Sequence, residues 1–329
     1  MTASEVRSVL KRDPAPVDDL MPAYRTALGS MYNSTIEQAM ASRTFAAYQG
    51  KVNAIITSPP FPLVKKKKYG NDTGEAYVQW LENIAPLLTG LLADDGSIVI
   101  EIGNAWVKGS PEMSTLPLEA LLSFKKAAKL HLCQHLICHN RARLPSPAQW
   151  VTIERIRLKD SFTHVWWLSK TPRPKADNAN VLVPYGSSMR GLLSSGKYNA
   201  GTRPSGHRIS AKGFLTDHGG AIPASVLEAD QASGVPESLL AYANTGWDAG
   251  YRTYCKENDL EAHPARMQPG LVAFFTQLLT ATNDIVFDPF AGSNTTGSVA
   301  EQMGRRWLAV EARGEYVEGS KGRFPASRL

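Results

Sequence analysis

The sequence predicts an α/β protein whose mostly parallel sheet is covered by helices, and three observations carry that prediction. Short β-branched apolar runs at 52–57, 97–102, 284–288 and 306–311 alternate with stretches of helical spacing at 75–92, 116–129 and 270–282, the alternation that builds parallel sheets. Two of these runs, 284–288 and 306–311, flank a turn of small residues and a helical stretch ending at Met303, which reads as a βαβ unit. The 329 residues are 43% hydrophobic and 20% charged, enough apolar material for one large core or two.

Taken in order, residues 1–30 show no period and hold Pro14, Pro16 and Pro22, so a surface arm is expected. A helical stretch from about 35 to 48 leads into the strand Val52-Asn53-Ala54-Ile55-Ile56-Thr57, closed by Ser58-Pro59-Pro60-Phe61. Proline lacks an N–H and fixes φ, so two of them end a ladder abruptly. From Glu75 to Leu92 the residues Tyr77, Leu81, Ile84, Leu87, Leu88 and Leu91 have helical spacing, and the stretch stops at Asp95-Gly96. Residues 97–102 are the next strand and 116–129 a helix.

The run His131-Leu132-Cys133-Gln134-His135-Leu136-Ile137-Cys138-His139 imitates a metal site. Zinc ligands usually come in paired short spacings from separate elements. As a strand, the run puts His131, Cys133 and His135 on one face, where Cys138 and His139 cannot join them. A sheet strand with partnered histidines and no metal is expected. Residues 162–169, with Trp166-Trp167, are a further strand. Cys133, Cys138 and Cys255 form no Cys-x-x-Cys pair and read as reduced, buried thiols. No apolar run approaches a membrane span and the N-terminus has no signal-peptide pattern, so a cytoplasmic protein with no membrane partner is expected.

Chemistry points to Ser58-Pro59-Pro60-Phe61. The residue before a proline is held extended, which turns Ser58 outward at the strand's carboxyl end, where ligands sit in open α/β sheets. An exocyclic amino group on a nucleobase is a poor nucleophile, because its lone pair is delocalised into the ring. Two acceptors on its N–H bonds, Ser58 Oγ and the Pro59 carbonyl, favour the pyramidal form and stabilise the charge that develops on attack. Pre-placed groups of this kind are worth roughly a hundred- to thousandfold in rate each. Phe61 stacking on the base adds roughly 1–3 kcal/mol. The same four residues would equally close a strand as an ordinary turn, and alone they do not choose. Lys65, Lys66, Lys67 and Lys68 follow directly and are expected to neutralise phosphates.

The net charge of +6 is concentrated. Between residues 173 and 212 seven basic residues, including Arg190, Arg203, Arg208 and Lys212, face the single acid Asp177, a surplus equal to the whole net charge. His207 lies among them. Helical spacing disappears from 171 to about 223, yet Val181, Leu182, Val183, Tyr185, Leu192 and Phe214 are too apolar for a disordered linker. A small, irregular, basic region that enters a DNA groove is expected.

In the C-terminal unit, Asp288-Pro289-Phe290-Ala291-Gly292-Ser293-Asn294-Thr295-Thr296 forms the turn, and Glu311 ends the next strand 23 residues beyond Asp288. A carboxylate at that place hydrogen-bonds ribose hydroxyls. The Gly-x-Gly-x-x-Gly spacing is absent, which favours a nucleoside over a pyrophosphate dinucleotide.

This turn resembles the S-adenosylmethionine-binding motif of DNA amino methyltransferases, and Thr57-Ser58-Pro59-Pro60-Phe61 resembles their catalytic motif in its cytosine-N4 form. The order, catalytic motif first and cofactor motif last, resembles the permuted beta class that accompanies restriction enzymes. The resemblance spans about 31–170 and 255–324. It implies a Rossmann-like sheet of seven strands, mostly parallel with an antiparallel last hairpin, that binds S-adenosyl-L-methionine and double-stranded DNA and is paired with a restriction endonuclease. It implies that Asp288, Pro289, Phe290, Gly292, Ser293, Asn294 and Thr295 hold the methionine side of the cofactor and Glu311 its ribose. His263, Pro264 and Ala265 would close over the methionine moiety, and Ser58, Pro59, Pro60 and Phe61 would hold the flipped base. The catalytic domain would comprise 31–170 and 256–329, with target recognition in 171–255. Asn33-Ser34 stands where relatives carry Gly-Asp, so no adenine-binding acid is assigned. Two alternatives remain: an N6-adenine enzyme, whose relatives carry Asp or Asn in place of Ser58, and a non-catalytic DNA-binding protein with this fold.

Overall fold

The computed structural model describes residues 19–60, 74–210, 213–228 and 247–325. Phe61, Lys65, Lys66, Lys67, Lys68 and Lys212 lie outside the described residues. The chain opens with β1 (Tyr24–Arg25) and β2 (Gly29–Asn33), an antiparallel pair in which Tyr24 faces Met31. Residues 24–30, expected as part of a surface arm, therefore belong to the sheet and the turn within it. Tyr24 is buried, and its hydroxyl meets Ser320 Oγ at 2.7 Å and accepts from Asn294 Nδ2 at 3.0 Å.

The helical stretch after β2 divides into α1 (Ile36–Ala41) and α2 (Arg43–Ala46). Ser42 causes the break: its hydroxyl donates back to the Ala39 carbonyl and accepts from Phe45 N, closing one helix and capping the next. Then come β3 (Val52–Thr57) and α3 (Glu75–Leu91). β4 (Leu92–Gly103) starts with no connector, five residues before the expected position. Asp95-Gly96, read as a helix stop, lies inside this strand. Val52 pairs with Leu92 and Ala54 with Ser97, so the extra residues of β4 bulge outward.

α4 (Leu116–Ala128), β5 (His131–His139) and β6 (Phe162–Ser169) follow close to expectation. His135 Nε2 and His164 Nδ1 lie 2.9 Å apart across β5 and β6, and burial holds both rings below the usual histidine pKa. Cys138 and Cys255 are buried, whereas Cys133 is only half-buried.

The segment expected as a separate recognition region, 171–255, is tied to the body at both ends. Lys175 pairs with Asp284 at 2.5 Å, Asp177 N donates to the Leu278 carbonyl, and Val181 is buried. What stands off is α5 (Ser187–Ser195) and the hairpin of β7 (Gly201–Thr202) and β8 (Arg208–Ile209), before β9 (Val226–Glu228) returns to the sheet edge. At the far end, α6 (Trp247–Glu257) packs on the C-terminal segment. The chain closes with α7 (Pro269–Leu279), β10 (Ile285–Asp288), α8 (Thr295–Gln302), β11 (Arg306–Glu311) and α9 (Gly314–Ser320).

The strands form one sheet in the order β1-β2-β11-β10-β3-β4-β6-β5-β9. β2, β11, β10, β3 and β4 run parallel, and β6 is antiparallel to both its neighbours. The seven expected strands are present, with the short β1 and β9 added at the edges. Alternate residues feed two cores: Ile55, Ile98, Phe287 and Leu308 pack under α3 and α4, while Ala54, Ile56, Val286 and Trp307 pack under α7 and α8.

Candidate active site

Because the central strands are parallel, their carboxyl ends open along one edge, and a cavity of about 560 Å³ lies there. β3 delivers Ser58, Pro59 and Pro60 to its wall; β10 delivers Asp288, Pro289 and Phe290; β11 delivers Glu311. Gly292, Ser293, Thr295 and the segment His263-Pro264-Ala265 complete it. Asn294 does not line it: fully buried at the start of α8, it accepts from Gly297 N and donates to Tyr24. Its role is a helix cap.

The Ser58-Pro59-Pro60 corner and the turn after β10 are joined. Thr57 Oγ1 donates to Asp288 Oδ1 at 2.7 Å, Thr296 Oγ1 donates to Oδ2 at 2.7 Å, and Phe290 N donates to Oδ1 at 3.1 Å. Even so, burial dominates and pushes the Asp288 carboxyl from 3.8 to about 6. Glu311 is raised for the same reason, against backbone donors: Gly292 N reaches Oε2 and Arg313 N reaches Oε1, both at 2.9 Å. Each Glu311 oxygen keeps a second acceptor site for a ligand hydroxyl. Gly292 is required, since its φ is +50° and a Cβ there would meet the His263 ring at 3.1 Å.

His263 is itself held tightly. Its backbone N donates to Tyr251 Oη at 2.8 Å and its ring packs edge-on against Tyr316 at 4.5 Å. Arg266 Nη1 reaches the His263 carbonyl at 2.6 Å while its Nε pairs with Asp248 at 2.9 Å. The other Asp248 oxygen takes Arg323 Nη2 at 2.8 Å, and Arg323 also donates to the Ser293 carbonyl and hydroxyl. Burial opposes the charge on Asp248, but the two guanidiniums outweigh it and hold the pKa low. Asp248 thus fastens the His263 segment to the cofactor turn, and sequence reasoning missed it.

Glu101 also lines the cavity and accepts from Thr163 Oγ1 at 2.9 Å. Burial raises its pKa. A lone acid inside Ile98-Val99-Ile100-Glu101-Ile102 was a readable signal that went unused. Near Asn33-Ser34, Asn33 is spent on the Glu311 and Ala312 carbonyls, and the cavity acid there is Glu37, which accepts from Trp80 Nε1 at 3.1 Å. Trp80 also packs on Phe290 at 5.3 Å.

The proposed DNA residues lie elsewhere. Arg190 is exposed on α5, and Arg203, His207 and Arg208 sit on the β7–β8 hairpin, with Arg203 half-buried and bonded to the Asn199 carbonyl. Among the described residues no group of three or more His, Cys, Asp or Glu is arranged to hold a metal, and no helix is long and apolar enough to cross a membrane.

The chain as a whole is similar to known DNA methylases. A family model described as DNA methylase, covering N6- and N4-type enzymes, matches residues 52–322. The type II methyltransferase M.PvuII of Proteus hauseri is 38% identical over 305 residues, 92% of this chain and 85% of that protein. M.BglII of Bacillus subtilis, also a type II methyltransferase, is 24% identical over 273 residues, 81% of this chain and 62% of that protein. The solved PvuII DNA methyltransferase, described as cytosine-N4-specific, superposes with a TM-score of 0.69 at 32% identity, over 94% of this chain and 91% of that one. The chain belongs to the family of N6- and N4-type DNA methylases.

Proposed function

We propose that the protein transfers a methyl group from S-adenosyl-L-methionine to the N4 amino group of a cytosine flipped out of duplex DNA. The observation that carries this is a single cavity in which the Ser58-Pro59-Pro60 corner and the Asp288 and Glu311 carboxylates meet, bridged by the Thr57–Asp288 hydrogen bond. The residues suit the cofactor: Glu311 keeps acceptor sites for two ribose hydroxyls, Asp288 places negative charge at the methionine end, and Gly292 leaves room between them. When bound, S-adenosylmethionine supplies an electrophilic methyl on a sulfonium. Ser58 Oγ and the Pro59 carbonyl accept the N–H bonds of the target amino group, localise its lone pair and take up its developing charge. Asp248 fixes the His263-Pro264-Ala265 segment over the cofactor. Arg190, Arg203, His207 and Arg208 meet DNA phosphates from α5 and the β7–β8 hairpin. The similarity to a cytosine-N4-specific enzyme supports cytosine over adenine. The same similarity supports a cytoplasmic modification enzyme working beside a restriction endonuclease.

Nucleosides from duplex DNA treated with the protein and cofactor, separated and weighed by mass spectrometry, should include N4-methylcytosine. A methyl on adenine or on carbon 5 of cytosine would overturn the reading. Ser58→Ala should lower turnover roughly a hundredfold with cofactor affinity kept.

A further inference from the structure

The loop between β5 and β6, residues 140–161, carries none of the groups to which the proposed transfer gives a role. Its large apolar side chains nevertheless stand in the open: Leu144 at 82% exposure, Ile153 at 68% and Leu158 at 90%. Large apolar side chains left this exposed within one loop point to a partner that covers them. The loop is not slack. Asp160 Oδ1 accepts from Asn104 Nδ2 at 2.7 Å and Asp160 pairs with Arg143 at 3.3 Å. Arg157 Nε donates to the Pro111 carbonyl at 2.7 Å, and Lys159 Nζ to the Arg141 carbonyl at 2.9 Å. Its hydrogen bonds fix the backbone and leave the apolar tips outward.

Two further observations identify what the loop meets. Residues 141–160 carry five basic side chains against two acids, a charge that suits a polyanion. The base of the loop opens on the cavity, where Asn140 and Arg143 line the wall, and Leu144 is the next residue out. A base drawn into the cavity leaves a gap in the stack beside that mouth. Proteins that unstack DNA commonly fill such a gap with an apolar wedge.

We propose that the 140–161 loop is a second DNA-contacting element, with Leu144 entering the base stack where the target cytosine has left and the loop's basic residues holding the flanking phosphates. The proposal rests on the base-flipping reading above and adds to it the residue that stabilises the flipped state. It also adds residues 140–161 to the DNA-contacting elements proposed above.

The test compares the wild type and Leu144→Ala on two duplexes. In one the target cytosine is paired with guanine; in the other it faces a mismatched base and is already loosened. Because Leu144 is solvent-exposed, the variant should keep its folding and its cofactor affinity. It should lose tenfold or more in kcat/KM on the paired duplex and less than twofold on the mismatched one. An equal loss on both duplexes, or no loss on either, overturns the proposal. So does a change of oligomeric state in sedimentation with the paired-to-mismatched ratio unchanged, which would make the loop a protein-docking surface. If the wild type methylates neither duplex, the methyltransferase reading itself fails and the proposal falls with it.

Discussion

Replacing Asp288 by asparagine separates what this carboxylate costs the fold from what it gives the site. The residue is 3% exposed and sits among three hydrogen-bond donors, yet burial holds its pKa at about 6 rather than 3.8. A carboxyl whose folded pKa lies above its unfolded one favours the folded state when protonated. That advantage is complete below about pH 4 and is lost as pH rises through 6. The difference of roughly two pKa units corresponds to about 3 kcal/mol of stability forgone at pH 8. Asparagine can keep the local bonds. Its oxygen accepts from Thr57 and Phe290, and its amide donates to Thr296 Oγ1, whose proton turns to the Ile56 carbonyl 3.4 Å away. In urea titrations Asp288→Asn should therefore be more stable by about 3 kcal/mol at pH 8, with about half of that gain gone at pH 5. Calorimetry should show S-adenosylmethionine binding at least tenfold more weakly, since a neutral amide no longer offsets the cationic methionine end. A variant less stable than wild type at pH 8, or a gain that does not change with pH, would refute this account of a charge kept at the fold's expense.

Three further outcomes are expected. Glu311→Ala removes charged acceptors worth roughly 1.5–3 kcal/mol per hydrogen bond, so cofactor affinity should fall at least tenfold by calorimetry while DNA affinity barely moves. Asp248→Ala leaves the Arg323 guanidinium, whose side chain is 1% exposed, without its carboxylate. That should cost about 3 kcal/mol in chemical denaturation. Replacing Arg203 and Arg208 together by alanine should weaken duplex binding and flatten its salt dependence by about 0.9 log units per lost phosphate contact for each tenfold rise in salt; an unchanged slope would show that the hairpin does not touch the backbone.

The parts of the molecule that were legible in the sequence are those whose physics is local. Val52–Thr57 is a β-branched run stopped by two prolines, and strand and corner both follow from that. The turn after β10 was legible as a turn because its small residues sit between a strand and a helix. The early start of β4 was not, because Leu92 is drawn into the sheet by pairing with Val52, a tertiary contact that overrides the turn character of Asp95-Gly96. The use of Asn294 was not legible for a related reason: it lies within the turn after β10, but its side chain is claimed by Gly297 and by Tyr24, 270 residues away. Asp248 acts only through Arg266 and Arg323, and no spacing announces a residue whose partners lie 18 and 75 positions off.

The permuted order of the motifs has a structural explanation in the sheet itself. A parallel sheet brings every carboxyl tip to one edge whichever strand the chain enters first. What the site needs is a pair of neighbours, β3 and β10, held in register with Val286 beside Ala54 and Phe287 beside Ile55. That register sets Thr57 against Asp288, 231 residues apart, so one carboxylate anchors the strand end from which Ser58 projects and also lines the cavity. A single hydrogen bond therefore ties the strand end that carries Ser58 to the turn after β10, and the sheet register produces it whichever way the chain is threaded.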